Sequence, residues 1–401
     1  MISSILLMGV VGGLQPTDTL IFVGLKLPVS QPPMLSVQSL HLGGTSAGKT
    51  DSLLDIGDDA GGLFMQVSAL VHGSTYIAGL QESGTTPTWL PSTDCAASPF
   101  GPCVAGTVCC SDPASTGTAE GACYRASSCA ALHGNAPQHG LILGYDLEAR
   151  QPLFRFNGTG TPICWHLAVD HERAPGQLLC LRERGGGSAG GVCTNYLVTV
   201  DMASGATADV GAFPSNLIIG ENDATYDANA GVYYALLAPP PPKQAGPVQP
   251  LQLCGMDIVT GRVVSQVAMP ETMNILNMDF DPETNLTNAV IHNLSYCDQK
   301  TEVAVAEYFG RLDPATAKFT PVGAQGIYAA RGYNQINSGF GSSRRREYLM
   351  TAFKINATTH SAALFLVGTD MDHGGIVYEY QRPETGMEGN FIDMALYTPT
   401  P

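Results

Sequence analysis

A nine-residue phrase, Leu197-Val-Thr-Val-Asp-Met-Ala-Ser-Gly205, returns as Leu253-Cys-Gly-Met-Asp-Ile-Val-Thr-Gly261. Looser copies are Leu141-Ile-Leu-Gly-Tyr-Asp-Leu-Glu148, Phe309-Gly-Arg-Leu-Asp-Pro314 and Leu366-Val-Gly-Thr-Asp-Met371. Aligned on Asp146, Asp201, Asp257, Asp313 and Asp370, they stand 55, 56, 56 and 57 residues apart. Each joins an apolar run, rich in β-branched or aromatic residues, to an Asp and a turn of Gly, Pro or acidic residues, the signature of a strand entering a tight reversal. A second series, Asp170, Asp227, Asp281 and Asn337, runs in phase at intervals of 57, 54 and 56. Two hairpins per period make a four-stranded antiparallel unit. Alone, such a unit cannot bury both faces of its sheet, so its copies must stack on one another.

A closed stack of such sheets is a β-propeller, whose blades usually repeat every roughly 40 to 50 residues. The fold class expected is therefore all-β, with about six four-stranded blades and seven as the alternative count. In four copies the first turn precedes the second-turn Asp by 31, 30, 32 and 33 residues. For Asp146 the matching strand and turn is Leu54-Asp-Ile-Gly-Asp-Asp59, 87 residues upstream, and the excess coincides with a cysteine-rich block. This assigns residues 1–83 and 141–401 to the propeller and 84–140 to an insertion within one blade. A last blade begins at Phe391-Ile-Asp-Met-Ala-Leu-Tyr397. The apolar residues 3–8 and Leu20-Ile-Phe-Val-Gly-Leu25 complete it, so that both ends of the chain close the ring and no edge strand is left open.

Charged residues are only 13% of the 401, against 46 Gly and 27 Pro, which suits short strands and turns. The formal charge of -16 disfavours nucleic acid. No apolar stretch reaches the about 18 residues that suggest a membrane span. Met1 to Gly13 has the apolar core of a signal peptide without its basic flank, and a strand is the preferred reading.

Eleven cysteines indicate an oxidising compartment, and the localisation expected is extracellular or cell-surface. Cys95, Cys103, Cys109, Cys110, Cys123 and Cys129 crowd the insertion, where bridges would replace a missing core; their pairing is open. In the propeller, Cys164 can bridge Cys180 within a hairpin and Cys254 can bridge Cys297 across blades. Cys193 is the candidate for the leftover thiol, free or joined to another chain. Sequons at Asn157, Asn285, Asn293 and Asn356 fall at expected turns and strand ends and are N-glycosylation candidates. Two loops are contact candidates: the polyproline run Pro239, Pro240, Pro241 and Pro242, and the basic cluster Arg344, Arg345 and Arg346.

Other motifs carry less. Gly43-Gly-Thr-Ser-Ala-Gly-Lys49-Thr50 matches a phosphate loop, but the chain beyond it leaves no room for the helix such a loop needs. His166, His171 and Glu172 lack metalloprotease spacing, and a strand would put the two histidines on opposite faces. His292, His360 and His373 are scattered singly. Asp170, Asp227 and Asp281 would line one rim, where the paired carboxylates of a glycosidase would be sought, yet each is explained by capping its own turn. No metal, cofactor or catalytic set is expected.

The period, the hairpin turns and the split closing blade resemble the propeller superfamily that includes NHL-type and YVTN-type repeats. The cysteine block is similar to small granulin-like or knot-like modules. The fold hosts enzymes and binding platforms alike. The expectation is a non-enzymatic extracellular glycoprotein contacting proteins or glycans, plausible as a structural subunit of a surface or appendage filament, with other copies of itself or other extracellular partners. The alternative is a propeller glycoside hydrolase or lyase using rim carboxylates.

Overall fold

A computed structural model describes residues 19–26, 34–42, 49–56, 64–82, 107–110, 122–125, 139–157, 161–184, 194–214, 217–238, 250–270, 273–293, 307–333, 335–342, 346–355, 362–381 and 394–397. Six four-stranded antiparallel sheets form a ring. Blade 1 runs outward from β26 (Ala395–Tyr397) through β1 (Thr19–Lys26) and β2 (Met34–His41) to β3 (Thr50–Asp55). Blade 2 comprises β4 (Phe64–His72), β5 (Thr75–Glu82), β8 (His139–Asp146) and β9 (Gln151–Asn157). Blade 3 is β10 (Trp165–Val169), β11 (Gln177–Arg184), β12 (Thr194–Asp201) and β13 (Thr207–Ala212). Blade 4 is β14 (Ile218–Asp227), β15 (Val232–Ala238), β16 (Gln252–Asp257) and β17 (Val263–Ala268). Blade 5 is β18 (Met273–Asp281), β19 (Leu286–Asn293), β20 (Glu307–Asp313) and β21 (Lys318–Pro321). Blade 6 is β22 (Gln335–Ser342), β23 (Glu347–Ile355), β24 (Ala362–Asp370) and β25 (Ile376–Gln381). A short helix, α1 (Ile327–Ala330), lies between blades 5 and 6.

The closing blade takes its inner strand from one end of the chain and its other three from the other. β26 pairs antiparallel with β1, Thr19 opposite Tyr397 and Ile21 opposite Ala395. Leu20 to Leu25 is thus the second strand of blade 1, and residues 3–8 lie outside the described residues.

Side-chain alternation explains why the middle strands read as unbroken apolar runs, since each of their faces meets a different neighbour. Leu20 and Phe22 pack with Leu349 and Leu366 of blade 6, whereas Ile21 and Val23 pack with Tyr76, Leu80 and Leu141 of blade 2. Likewise Leu178 and Cys180 face blade 2 while Leu179 and Leu181 face blade 4. The buried apolar residues fall into six clusters, one for each seam between blades. At about 1.5–3 kcal/mol per large side chain buried, the stability of the ring resides in these seams.

The repeated aspartates shape the turns. Asp201 accepts the amides of Ala203 and Ser204, Asp257 those of Val259 and Thr260, and Asp370 those of Asp372 and His373. Four residues beyond Asp257 and Asp370 stand Gly261 and Gly374, with φ of 65° and 70°. A Cβ there would lie 2.0 Å from the carbonyl oxygens of Val210 and Val322 in the preceding blades, so backbone conformation and packing both require glycine.

Two turn assignments need correction. Asn337 lies inside β22, not in a turn, and the reversal follows Ser342, which pairs with Glu347. Leu54 and Asp55 end the outer strand of blade 1, while the first turn of blade 2 is at Gly73 and Ser74. The chain therefore leaves blade 2 between its second and third strands, from Glu82 to His139. Within that span, β6 (Thr107–Cys110) and β7 (Ala122–Arg125) form a separate hairpin whose register sets Cys109 opposite Cys123.

Candidate functional site: the two ends of the ring

The inner strands β26, β4, β10, β14, β18 and β22 follow one another around the axis, and those of blades 2 to 6 each carry a register shift against the second strand. Such bulges bend the strand and re-aim its side chains. Antiparallel pairing sends all hairpin turns, first to second and third to fourth strand, to one end of the ring. The second-to-third connections leave from the other.

At the turn end, Asp170, Asp227 and Asp281 stand at equivalent positions, and each carboxylate is committed to its own turn. Asp170 accepts the amides of Glu172 and Arg173 at 2.8 Å, Asp227 those of Asn229 and Ala230, and Asp281 the amide of Glu283 and the hydroxyl of Thr284. The Asp170 side chain, 4% exposed, also receives the Arg173 guanidinium at 3.0 Å and the Tyr226 hydroxyl of blade 4. Burial pushes its pKa up, but the Tyr226 hydroxyl, Arg173 and the turn amides outweigh burial and bring it to about 2. Asp170 is therefore ionised at any physiological pH.

The same turns link the blades. Arg173 donates to the carbonyls of Ala228 and Asn229 at 2.7 and 3.1 Å, and Asn229 passes the chain of bonds on to Pro282 and Asn285 of blade 5. Along β18, Asn277 accepts the Tyr348 hydroxyl at 2.8 Å, Asp279 the Gly341 amide at 2.7 Å and Asp281 the Arg346 guanidinium at 2.7 Å, all from blade 6. Arg346 also bonds Asp372. It is thus a clamp between blades 5 and 6; Arg344 and Arg345 lie outside the described residues. Because removing it strands the buried Asp281 carboxylate, Arg346→Ala is expected to lower stability by about 2–3 kcal/mol in urea unfolding. A double-mutant cycle with Asp281→Asn should return a coupling above about 1 kcal/mol, and additivity would show that the clamp carries nothing.

At the opposite end, residues 239–251 and 294–306 make 13-residue connections and residues 83–138 one of 56, whereas every hairpin turn takes at most eight. Asn157 ends β9 and Asn293 ends β19 at this end, and the sequon residue Asn356 follows β23 directly in sequence. Asn157 is exposed. Asn285 lies at the turn end, exposed, with φ of 57°. Pro239 to Pro242, Cys95, Cys103, Cys129, Cys193, Cys297, Asn356 and His360 lie outside the described residues.

Cys164 and Cys180 form the expected disulfide between consecutive strands. Cys254 is a free, buried thiol whose pKa burial pushes up to about 12, which corrects its pairing with Cys297. Its side chain points into the seam with blade 3, beside Leu179 and Tyr233. The Gly43 to Thr50 motif leads straight into strand β3, where a phosphate loop would need a helix. His166 sits at φ 54° in the β10 bulge, its Nε2 sealed from solvent without a partner, and burial lowers its pKa to about 4. No cluster of three His, Cys, Asp or Glu suited to a metal occurs among the described residues, and no helix among them is long and apolar enough to cross a membrane.

Six four-stranded blades, closed by strands from both ends of the chain and with the Cys164–Cys180 disulfide inside one of them, define the protein as a six-bladed β-propeller. No protein-family model matches the chain, and no curated protein does. Among solved structures it is similar to a protein of unknown function from Dyadobacter fermentans DSM 18053, at 8% identity over 87% of this chain and 94% of that one, TM-score 0.45. It is also similar to the β-propeller domain of the trilobed protease from Pyrococcus furiosus, at 6% identity over 76% and 80%, TM-score 0.37. An oligogalacturonate lyase in complex with manganese matches at 10% identity over 61% of each chain, TM-score 0.37, so this chain spans under two thirds of the lyase's length. At such identities the likeness concerns the fold alone.

Proposed function

We propose that this propeller is a non-enzymatic extracellular contact module that meets protein or glycan partners, including further copies of itself in a surface or appendage assembly, through the end bearing its long connections. The observation that carries the reading is the contrast between the ends. The turn-end carboxylates are consumed by their own amides and by cross-blade bonds, so a substrate there would have to displace bonds that hold the ring together. The long connections leave from the other end, and surface loops on a rigid scaffold are where binding residues gather. The disulfide between Cys164 and Cys180 and the exposed sequons Asn157 and Asn285 suit an oxidising, glycan-adding compartment.

Replacing residues 239–249 by a Gly-Ser linker is expected to abolish partner capture or self-assembly, read by light scattering and electron microscopy, while the melting temperature stays within a few degrees. Asp227→Asn at the other end should leave assembly intact. Turnover on a glycan panel that disappears in Asp170→Asn, at unchanged stability, would replace this reading with the glycosidase or lyase one.

A further inference from the structure

Between blades 2 and 3 at the turn end lies a cavity of about 210 Å³. Two imidazoles from different blades meet in it. His72 ends β4, His171 follows Asp170 in the first turn of blade 3, and their ring centroids are 4.0 Å apart with planes inclined by 43°. Met202, just after Asp201 in the second turn of blade 3, lines the same cavity, and Ile77, Phe154 and Val169 form its walls. No lining residue is a carboxylate, amide, lysine or arginine.

We propose that His72, His171 and Met202 form a binding site for one soft monovalent metal ion, Cu(I). Three turns from two blades deliver two nitrogen donors and one thioether sulfur to a single cavity. Thioether with imidazole is a donor set for Cu(I), while Ca²⁺ and Mg²⁺ require several oxygen ligands, of which the lining side chains offer only the Thr75 hydroxyl. The net charge of -16 draws cations toward the surface. This site is independent of the contact function proposed above.

The test must exclude the cysteines, which bind copper themselves. With accessible thiols alkylated, the intact protein is titrated anaerobically with Cu(I) against bicinchoninate, and the bound form is examined by X-ray absorption. The expected result is one Cu(I) per chain with two nitrogen scatterers and one sulfur. His171→Gln and Met202→Leu should each weaken binding tenfold or more, and Met202→Leu, close in size, should remove the sulfur scatterer from a chain with unchanged circular dichroism. The proposal is overturned by a wild-type protein that takes no copper from the chelator. Equal affinity in a His72→Gln, His171→Gln double variant, or Zn(II) bound more tightly than Cu(I), overturns it as well.

Discussion

Deleting residues 394–401 is expected to remove on the order of 5 kcal/mol of stability and to leave a chain that aggregates. Met394 and Tyr397 are 4% and 8% exposed and pack into the seams toward blade 6 and blade 2 respectively, each contributing about 1.5–3 kcal/mol, and Ala395 adds a little more. The three ladder pairs to β1 are lost as well. A domain of ordinary stability has only about 5–15 kcal/mol in total, so the shortened ring should stand near its unfolding threshold at room temperature. The bare inner edge of β1 then becomes a template for pairing with other chains. Urea unfolding and light scattering check both halves of the expectation, and a synthetic peptide of residues 394–401 should restore the midpoint when added in excess. A truncated protein with the parental midpoint would show that the ring does not depend on its last strand.

The second large effect concerns two desolvated groups whose pH dependences oppose each other. Burial, reinforced by the negative charge of Asp281, raises the Asp279 pKa to about 7, against 3.8 in the unfolded chain. Native Asp279 therefore holds a proton between those values that the unfolded chain has released, so its contribution to stability is present below about pH 4 and is lost as pH rises through 7. The loss is on the order of 4 kcal/mol. His166 acts the other way. Burial lowers it from 6.5 to about 4, so the unfolded chain binds the extra proton and stability falls by on the order of 3 kcal/mol as pH drops from 6.5 to 4. Asp279→Asn should consequently stabilise the protein at pH 8, because the amide oxygen can still accept the Gly341 amide without a buried charge, and should leave an acid-labile protein. His166→Asn, with a residue that tolerates the φ of 54° there, should give the alkaline-labile counterpart. Urea midpoints at pH 4.5, 6 and 8 for both variants decide the matter. If Asp279→Asn keeps the wild-type pH profile, the carboxylate is not the source.

The turns and the count of blades were legible because they rest on short-range chemistry. An Asp that accepts amides two and three residues ahead, followed by a left-handed residue, leaves the same mark each time, as at Asp201 and Asp257. Closure by both ends followed from the same phase. What failed were choices for which local composition is neutral or misleading. Asn337 and Gly339 look like a turn, yet pairing with the next strand of blade 6 draws them into β22. A strand ending in Leu54-Asp55 reads the same whether it closes one blade or opens the next.

Contacts between blades were less visible still. Arg346 and Asp281 are 65 residues apart, and nothing in either turn announces the other. His72 escaped notice because it stands where other blades carry the turn aspartate, facing Thr75 as Asp227 faces Val232, and so is one position out of phase with His171. Strand parity would have set Cys254 on the face toward blade 3, since Leu253 beside it belongs to the opposite seam.

The shared closing blade also orders events during biosynthesis. Strand β1 ends at Lys26, and the partner of its inner edge begins at Ala395, roughly 370 residues later. At translation speeds of about 5–20 residues per second, that edge waits on the order of 20 to 70 s during synthesis before anything of its own can cover it. Blades 2 to 6 can complete their hairpins one after another in the meantime, while β1, the first of the ring's described strands in chain order, is the last to be satisfied and is the natural place for a chaperone to hold the nascent chain.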